Sequence, residues 1–352
     1  MRKGELVDTK VVKLNTEECA SALGYAARII KEGGLVVFPT ETVYGLGADA
    51  TNPIAAKKIY AAKGRPSDNP LIIHVANPID AEKYAVTSEL YYKLAKAFMP
   101  GPITVVLPAK PTIPKETTGG LETVAVRCPE HKVARLLIEA AGVPIAAPSA
   151  NLSGSPSPTS FEHVKDDMMG RVDMIIDGGD CEIGLESTIV KIEGDKLILL
   201  RPGKITPEML SRIAEDVEIA GAVTDKLAEG ERAISPGMKY RHYAPKSPLT
   251  LIGGDFYKIT SYISSKKEKN LGIICYTEYE AQYQKIFPSA DIYVLGNSDD
   301  ESTQAHSLFS ILRKCDKKNY DMIYAPIPDS RGLGLALYNR MIRAAAYQII
   351  NL

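Results

Sequence analysis

The segment from Leu35 to Val75 constrains the fold more than any other part of the sequence. A short apolar run, Leu35 to Phe38, is typical of a buried strand and ends at Pro39. A second apolar run, Leu71 to Val75, has the same character, and a helical pattern lies between the two. Two strands joined through a helix indicate an α/β fold, in which ligands often bind at strand ends.

Capping residues mark both ends of the helix between these two strands. Thr51 or Asn52 is predicted to cap its first turn, and Pro53 suits the first helical position. We expect the helix to run from Ile54 to Lys63 and to stop at Gly64. Its last turn therefore presents Lys63, although a lysine there would also suit the helix dipole alone.

The pattern on both sides of this segment predicts a first domain over residues 1–216. Strands interleave with helices, and Ser187 to Ile192 with Lys196 to Leu200 forms a predicted hairpin around Gly194. Because a hairpin is antiparallel and strand–helix–strand units are parallel, we expect a mixed twisted sheet with helical cover.

The remainder divides into a linker over residues 217–247 and a second domain over residues 248–352. The linker lacks core periodicity. Beyond Pro248, four apolar runs alternate with helical patterns, which predicts a smaller parallel, Rossmann-like α/β domain. The predicted strands are Leu249 to Ile252, Leu271 to Tyr276, Asp291 to Leu295 and Met322 to Ala325.

Composition indicates an ordinary globular protein and limits its partners. The chain has 352 residues, of which 45% are hydrophobic and 24% are charged. The net charge of −1 provides no global field for tight nucleic-acid binding. No membrane span or signal peptide is apparent, so we expect a cytoplasmic protein. The five scattered cysteines favour reduced thiols over a disulfide framework or a zinc site.

The sequence does not carry either of two common nucleotide-binding motifs in the required context. Gly45 to Ala50 fits G-x-G-x-x-A, but a polar loop separates it from the strand, and the helix begins only near Pro53. A P-loop is excluded because Gly203-Lys204 is followed by Ile205. A bound nucleotide would therefore depend on side-chain cations and small polar groups.

Three stretches together resemble the YrdC domain family. They are the PTETVYGLG sequence from Pro39, the triplet Lys63-Gly64-Arg65, and Ser149-Ala150-Asn151. The similarity spans about residues 10–216, and the following linker and second domain are similar to the long, Sua-type form. The resemblance implies a threonylcarbamoyl-AMP synthase that consumes L-threonine, ATP and bicarbonate or CO₂. It also implies Mg²⁺ brought with the nucleotide, and a separate tRNA-modifying transferase as the downstream partner.

On this resemblance, cations and small polar groups would hold ATP. Lys63, Arg65 and Arg201 would supply charge, and an arginine fork matches phosphate oxygens. Arg201 alone could equally be a surface residue. The expected neutral ATP contacts are Asn69, Thr123, Ser149, Asn151, Ser157 and Gly237, with Lys63, Arg65, Ser149 and Asn151 as the catalytic set.

The threonine side of the site follows from the groups that the amino acid carries. Its carboxylate calls for an arginine, and Arg127 ends a predicted strand. Only the resemblance assigns His74 to substrate, since a histidine in such an apolar run is usually part of the core. The remaining expected threonine contacts are Thr42, Ala147 and Ser187.

The resemblance also implies that residues 234–245 form a lid over the active site, although a plain linker remains possible for them. Two other functions stay open. One is a non-catalytic RNA-binding module, and the basic residues Lys239, Arg241 and Lys246 could touch RNA or simply face solvent. The other is carbamoyl transfer to a different acceptor, as in hydrogenase-maturation proteins with a YrdC-like domain.

Overall fold

The computed structural model describes residues 7–13, 19–225 and 243–352. The chain divides into two compact units. The first comprises Met1–Ser153 and Ser157–Lys239, and the second comprises Gly154–Pro156 and Tyr240–Leu352.

The described part of the first unit forms an eleven-stranded mixed sheet with the order β1-β8-β2-β3-β7-β4-β6-β5-β9-β10-β11. Parallel pairs such as β4–β6 stand beside antiparallel pairs such as β5–β6. The strands are β1 (Lys10–Lys13), β2 (Val36–Phe38), β3 (Gly45–Asp49), β4 (Ile72–His74), β5 (Ile103–Pro108), β6 (Thr123–Arg127), β7 (Ile145–Ala146), β8 (Met174–Asp177), β9 (Thr188–Glu193), β10 (Lys196–Arg201) and β11 (Val217–Ile219).

Helices cover this sheet, and their apolar faces build its core. Leu23 and Ile30 from one helix and Leu137 from another pack with Phe38 and Met174 of the sheet. The helices are α1 (Cys19–Lys31), α2 (Pro53–Lys63), α3 (Glu89–Phe98), α4 (Lys115–Thr118), α5 (Lys132–Ala141), α6 (Phe161–Met168) and α7 (Pro207–Leu210), with 3₁₀ turns at Pro78–Lys83 and Gly221–Val223.

The ends of α2 follow the capping rules that the sequence predicted. Asn52 is the N-cap, and its side chain accepts hydrogen bonds from the backbone N–H groups of Ile54 and Ala55. Gly64 ends the helix in the left-handed conformation, with φ of 62°. Lys63 is therefore fixed in position as the last helical residue.

The second unit is a small parallel α/β layer. Its five described strands lie in the order β14-β13-β15-β12-β16, and all of them pair in parallel. The elements are β12 (Leu249–Gly253), α8 (Phe256–Ser264), β13 (Leu271–Tyr276), a 3₁₀ turn (Thr277–Tyr279), α9 (Glu280–Ile286), β14 (Asp291–Gly296), α10 (Glu301–Asp316), β15 (Met322–Pro326), α11 (Gly334–Ala344) and β16 (Ile349–Asn351). The predicted fold class, a mixed sheet plus a smaller parallel α/β domain, is confirmed.

Several elements differ from the sequence prediction. The glycines at 45 and 47 predict a sharp turn or a close backbone approach, but the segment Gly45–Asp49 is a strand. Strand β11 lies in the stretch predicted as linker, because its backbone pairs in parallel with β10. The sequence pattern predicts a helix over residues 207–214 and another over residues 333–349, but α7 ends at Leu210 and α11 ends at Ala344.

Candidate active site

Lys63 joins the end of α2 to the loop after β7. Its ammonium is buried, with the residue 2% exposed, and donates to the carbonyl oxygens of Ser149 and Asn151, both at 2.5 Å. The Asn151 Oδ1 atom lies 3.4 Å from Lys63 Nζ and accepts a hydrogen bond from Ser149 Oγ at 2.5 Å. Ser149 also bridges to Gly45 at the start of β3. The predicted catalytic residues Lys63, Ser149 and Asn151 therefore form one cluster.

Arg65 lies just beyond α2 and contacts the segment that enters β4. Its Nε donates to the Asn69 carbonyl at 3.3 Å, and Nη2 donates to the Pro70 carbonyl at 3.1 Å. The side chain of Asn69 is buried, yet its Oδ1 has no hydrogen-bond partner among the described atoms. Since buried polar atoms are rarely left unpaired, Asn69 Oδ1 is a candidate acceptor for a bound molecule.

A buried ion pair links the PTETVYGLG loop to the end of β6. Arg127 Nη2 donates to Glu41 Oε1 at 2.7 Å, and both side chains are only 5% exposed. Within the described part of the chain, Arg127 Nε and Glu41 Oε2 have no partner. Desolvating two charges is costly, so a buried pair with one unpaired donor and one unpaired acceptor suggests that a ligand completes it.

His74 stands beside Arg127 in the sheet, since the two residues are register partners in β4 and β6. Burial, together with the Arg127 guanidinium, lowers the pKa of His74 to about 3, so the imidazole is neutral at ordinary pH. Its Nδ1 lies 3.3 Å from the Ile72 carbonyl, which also accepts a hydrogen bond from Ala147 N at 2.8 Å. The predicted threonine contacts His74, Arg127 and Ala147 are thus close in the sheet.

Ser187 and Arg201 form a second buried cluster, next to β5. Arg201 donates from Nε to the Ser187 carbonyl at 3.0 Å and from Nη2 to Ser187 Oγ at 3.1 Å. The Ser187 hydroxyl also lies 2.8 Å from Thr104 Oγ1. Thr104 pairs with Arg127 across β5 and β6, so this cluster adjoins the buried ion pair.

The other predicted residues take different positions. Ser157 Oγ donates to Glu186 Oε1 at 2.6 Å, and Thr42 Oγ1 lies 2.9 Å from Thr40 Oγ1. Thr123 begins β6, whose opposite end carries Arg127, about 13 Å away along the strand. The structure therefore places Thr123 near the start of β4, on the Asn69 side, and not beside Arg127.

The sequence analysis missed Glu41, the partner of Arg127, and its prediction for Gly237 cannot be compared with the structure. Glu41 was not selected, although it stands inside the PTETVYGLG motif, where an isolated carboxylate in a buried segment signals a charged partner. Gly237 and most of the predicted lid lie outside the described residues. In the described ranges, no three Asp, Glu, His or Cys side chains are grouped to hold a metal ion, and no helix has the length and apolarity to cross a membrane.

The mixed sheet with its buried cations and hydroxyls, followed by a separate parallel α/β unit, defines the YrdC-type class of two-unit α/β proteins. Residues 28–203 match a family described as "telomere recombination", and residues 205–346 match the C-terminal domain of threonylcarbamoyl-AMP synthase. The chain belongs to the threonylcarbamoyl-AMP synthase family, which confirms the resemblance and the prediction of a nucleotidyltransferase-type enzyme.

Individual relatives are similar in sequence to this chain over nearly its full length. A threonylcarbamoyl-AMP synthase of Pyrococcus abyssi is 45% identical over 92% of this chain and 94% of its own length. That of Bacillus subtilis is 43% identical over 93% of this chain and 94% of its own. A crystal structure of P. abyssi Sua5 complexed with L-threonine is similar with a TM-score of 0.88 and 41% identity, covering 98% of this chain and 99% of that one.

Proposed function

We propose that this chain makes threonylcarbamoyl-AMP and pyrophosphate from L-threonine, bicarbonate or CO₂, and ATP. The observation that carries the proposal is the presence, in one unit, of a buried Lys63 ammonium bonded to the loop of Ser149 and Asn151 and of a buried, incompletely paired Arg127. The first group suits a triphosphate, and the second suits the carboxylate of an amino acid. Both groups belong to the first compact unit.

Threonine would complete the hydrogen bonds that the buried ion pair leaves open. Its carboxylate would accept from Arg127 Nε, and its amine or hydroxyl would donate to Glu41 Oε2. Neutral His74, the hydroxyls of Thr42 and Ser187, and the backbone at Ala147 would shape the rest of this subsite. An arginine suits residue 127 better than a lysine, because a planar guanidinium can donate to two carboxylate oxygens at once.

ATP would occupy the Lys63 side of the sheet. Lys63, Arg65 and Arg201 would neutralise the phosphates, and Asn69 Oδ1 would accept from a ribose hydroxyl or the adenine amino group. We assign the remaining nucleotide contacts to Thr123, Ser149, Asn151, Ser157 and Gly237. The described residues offer no protein-only metal cage, so Mg²⁺ would arrive on the phosphate oxygens of ATP.

The chemistry requires positioning and charge neutralisation. The threonine nitrogen forms a bond to the carbon of CO₂ and loses a proton, which gives a carbamate. A carbamate oxygen then attacks the α-phosphorus, the bond to the bridging oxygen of the β-phosphate breaks, and pyrophosphate leaves. Lys63 and Arg65 stabilise the charge that develops, while Ser149 and Asn151 orient the reacting groups. The enzyme needs no covalent nucleophile for these steps.

The test is threonine-dependent release of pyrophosphate from ATP. We expect Lys63→Ala and Arg65→Ala each to lower kcat/KM by about a hundredfold or more, because each removes a cation from the transition state. Lys57→Ala is the matched control, since this exposed lysine on the same helix pairs with Glu116 at 3.1 Å, away from the cluster. Wild-type rates in both site variants would refute the assignment.

We further propose domain limits of 1–216 and 248–352, with 217–247 between them. The product would pass to a separate transferase that modifies the tRNA adenosine beside the anticodon. Contact with tRNA is then indirect, as the net charge of −1 favours.

A further inference from the structure

The second unit contains a cavity of about 270 Å³ that the synthase reaction does not use. It opens at the carboxyl ends of three neighbouring strands, β12, β13 and β15, where its lining includes Gly253, Tyr276 and Pro326. Open α/β sheets bind ligands at this edge. An apolar cavity of about 150 Å³ admits benzene, so this one has room for an aromatic ring with a short substituent.

In a nucleotide-binding fold, the glycine-containing turn after the first strand binds phosphate. The corresponding turn here, at Gly253 and Gly254 after β12, has a different role. A Cβ atom at Gly253 would lie 2.8 Å from Ile327 Cδ1, and Gly254, at φ of +139°, lies against Leu352. These glycines therefore serve chain packing. The carboxylate of Asp255 accepts from the first N–H groups of α8, at Tyr257 and Lys258. A phosphate at this helix end would meet a carboxylate already in place.

Aromatic and aliphatic side chains form the walls of the cavity. The rings of Phe256 and Tyr279 are stacked, with centroids 5.1 Å apart and planes 11° apart. Tyr283 meets Phe256 edge-on at 5.2 Å, and Ile259 and Ile273 supply aliphatic surface. Such walls favour a flat, apolar group and offer ring faces to a cation.

The charges around the opening are mainly negative. Glu278 Oε1 accepts from both N and Oγ of Ser298, a lining residue, at 2.9 Å each, and these bonds lower the pKa of the Glu278 carboxyl. Burial raises the pKa of Tyr276, and the nearby Glu278, Asp329 and Glu301 raise it further. Arg331 pairs with Asp329 and also interacts with Glu301, whereas Glu278 bonds directly to a lining residue, so Glu278 supplies the negative charge at the cavity.

We infer that this cavity binds a small aromatic amine, with the ring between the Tyr279 and Ile273 walls and the ammonium toward Glu278. The apolar walls select the ring, and the carboxylates select the charge. We do not assign a nucleotide to this cavity, although the unit resembles nucleotide-binding folds, because the Asp255 carboxylate already accepts from the N–H groups that would bind a phosphate.

Three probes of matched shape test this inference by calorimetric titration of the full chain: phenethylamine, phenethyl alcohol and phenylacetate. We expect the amine to bind about tenfold or more tightly than phenylacetate, with the alcohol between them. Tyr279→Ala should weaken amine binding by about tenfold, because it removes one wall. Tyr257→Ala is the control, since this neighbouring tyrosine is 82% exposed and does not line the cavity.

A reporter variant locates the bound probe. The chain contains no tryptophan, so Tyr279→Trp introduces a single indole into the wall, and its fluorescence should change with the amine. Equal affinity for the three probes, no binding of any, or unchanged amine binding in Tyr279→Ala would overturn the inference. Displacement of the amine by AMP but not by adenosine would overturn it in favour of a nucleotide site.

Discussion

Under the proposed function, the Arg127 side chain is already oriented for a carboxylate before threonine binds. The Glu41 carboxylate holds one terminal nitrogen, while Nε is left without an acceptor in the described structure. A guanidinium fixed in this way loses little conformational freedom when it binds a carboxylate. At this scale the proposed specificity for an amino acid comes from the orientation of Arg127.

Arg127→Lys tests that orientation. The lysine keeps a positive charge beside Glu41, so the buried pair remains neutral overall, but it cannot serve two carboxylates as a planar fork. We expect the KM for threonine to rise about tenfold while the KM for ATP stays within about twofold. Arg171→Lys, on the exposed surface, is the control. An unchanged threonine KM would contradict the assigned role.

His74 makes stability depend on pH. Its pKa is about 3 in the folded protein and near 6.5 when unfolded, so between these values the unfolded state binds a proton that the folded state does not. The stabilisation is complete above about pH 6.5 and declines as the pH falls toward the folded value. We expect His74→Asn to flatten the pH dependence of the unfolding free energy between pH 7 and 5, by up to about 1.4 kcal/mol per pH unit. Identical slopes in denaturant titrations of both proteins would exclude this titration.

At the scale of the element, helix α2 and strand β3 show what sequence can and cannot predict. The limits of α2 follow from local chemistry, since Asn52, Pro53 and Gly64 act on the backbone next to them. Strand β3 was missed because two of its five residues are glycines, which weaken local strand preference. Its formation depends on β2 and β7, which lie elsewhere in the chain.

Gly47→Ala tests the packing that requires a glycine in β3. The added Cβ would lie 2.7 Å from Phe38 Cε1 and 2.8 Å from Ile145 Cγ2, both in fully buried side chains. We expect a loss of about 1–3 kcal/mol in unfolding free energy from overpacking. Gly24→Ala in α1, where nothing lies within 4 Å, should instead stabilise the protein slightly. Equal effects from the two substitutions in thermal or denaturant melts would count against this account.

The sequence likewise predicted some contacts of the candidate site and missed others. The predicted catalytic set was Lys63, Arg65, Ser149 and Asn151. The structure brings Lys63, Ser149 and Asn151 together, whereas Arg65 contacts the segment that enters β4. The partnership of Glu41 with Arg127 was not predictable, because 86 residues separate them and neither neighbourhood indicates the other. Long-range pairing of charges is decided by the three-dimensional fold and leaves little local signal.

At the scale of the whole molecule, the distribution of carboxylates predicts that Mg²⁺ binds together with the nucleotide and not to the protein alone. Among the described acidic groups near the site, Glu41 bonds to Arg127 through Oε1 and Glu186 accepts from Ser157. We expect chelation of Mg²⁺ to abolish pyrophosphate release, and calorimetry to show Mg²⁺ binding to the protein only when ATP is present. Tight Mg²⁺ binding without nucleotide would contradict this.

The carbonyl oxygens that accept from the Lys63 ammonium should also affect which anions bind to the enzyme between turnovers. An incoming inorganic anion must compete for the Lys63 ammonium with two carbonyl oxygens that already accept hydrogen bonds from it at 2.5 Å. It therefore gains little binding free energy from this cation. The base and ribose of ATP make further contacts, and these can offset the cost of displacing the carbonyl oxygens from Lys63. The resting enzyme should therefore tolerate orthophosphate in its surroundings and discriminate against it without any gate.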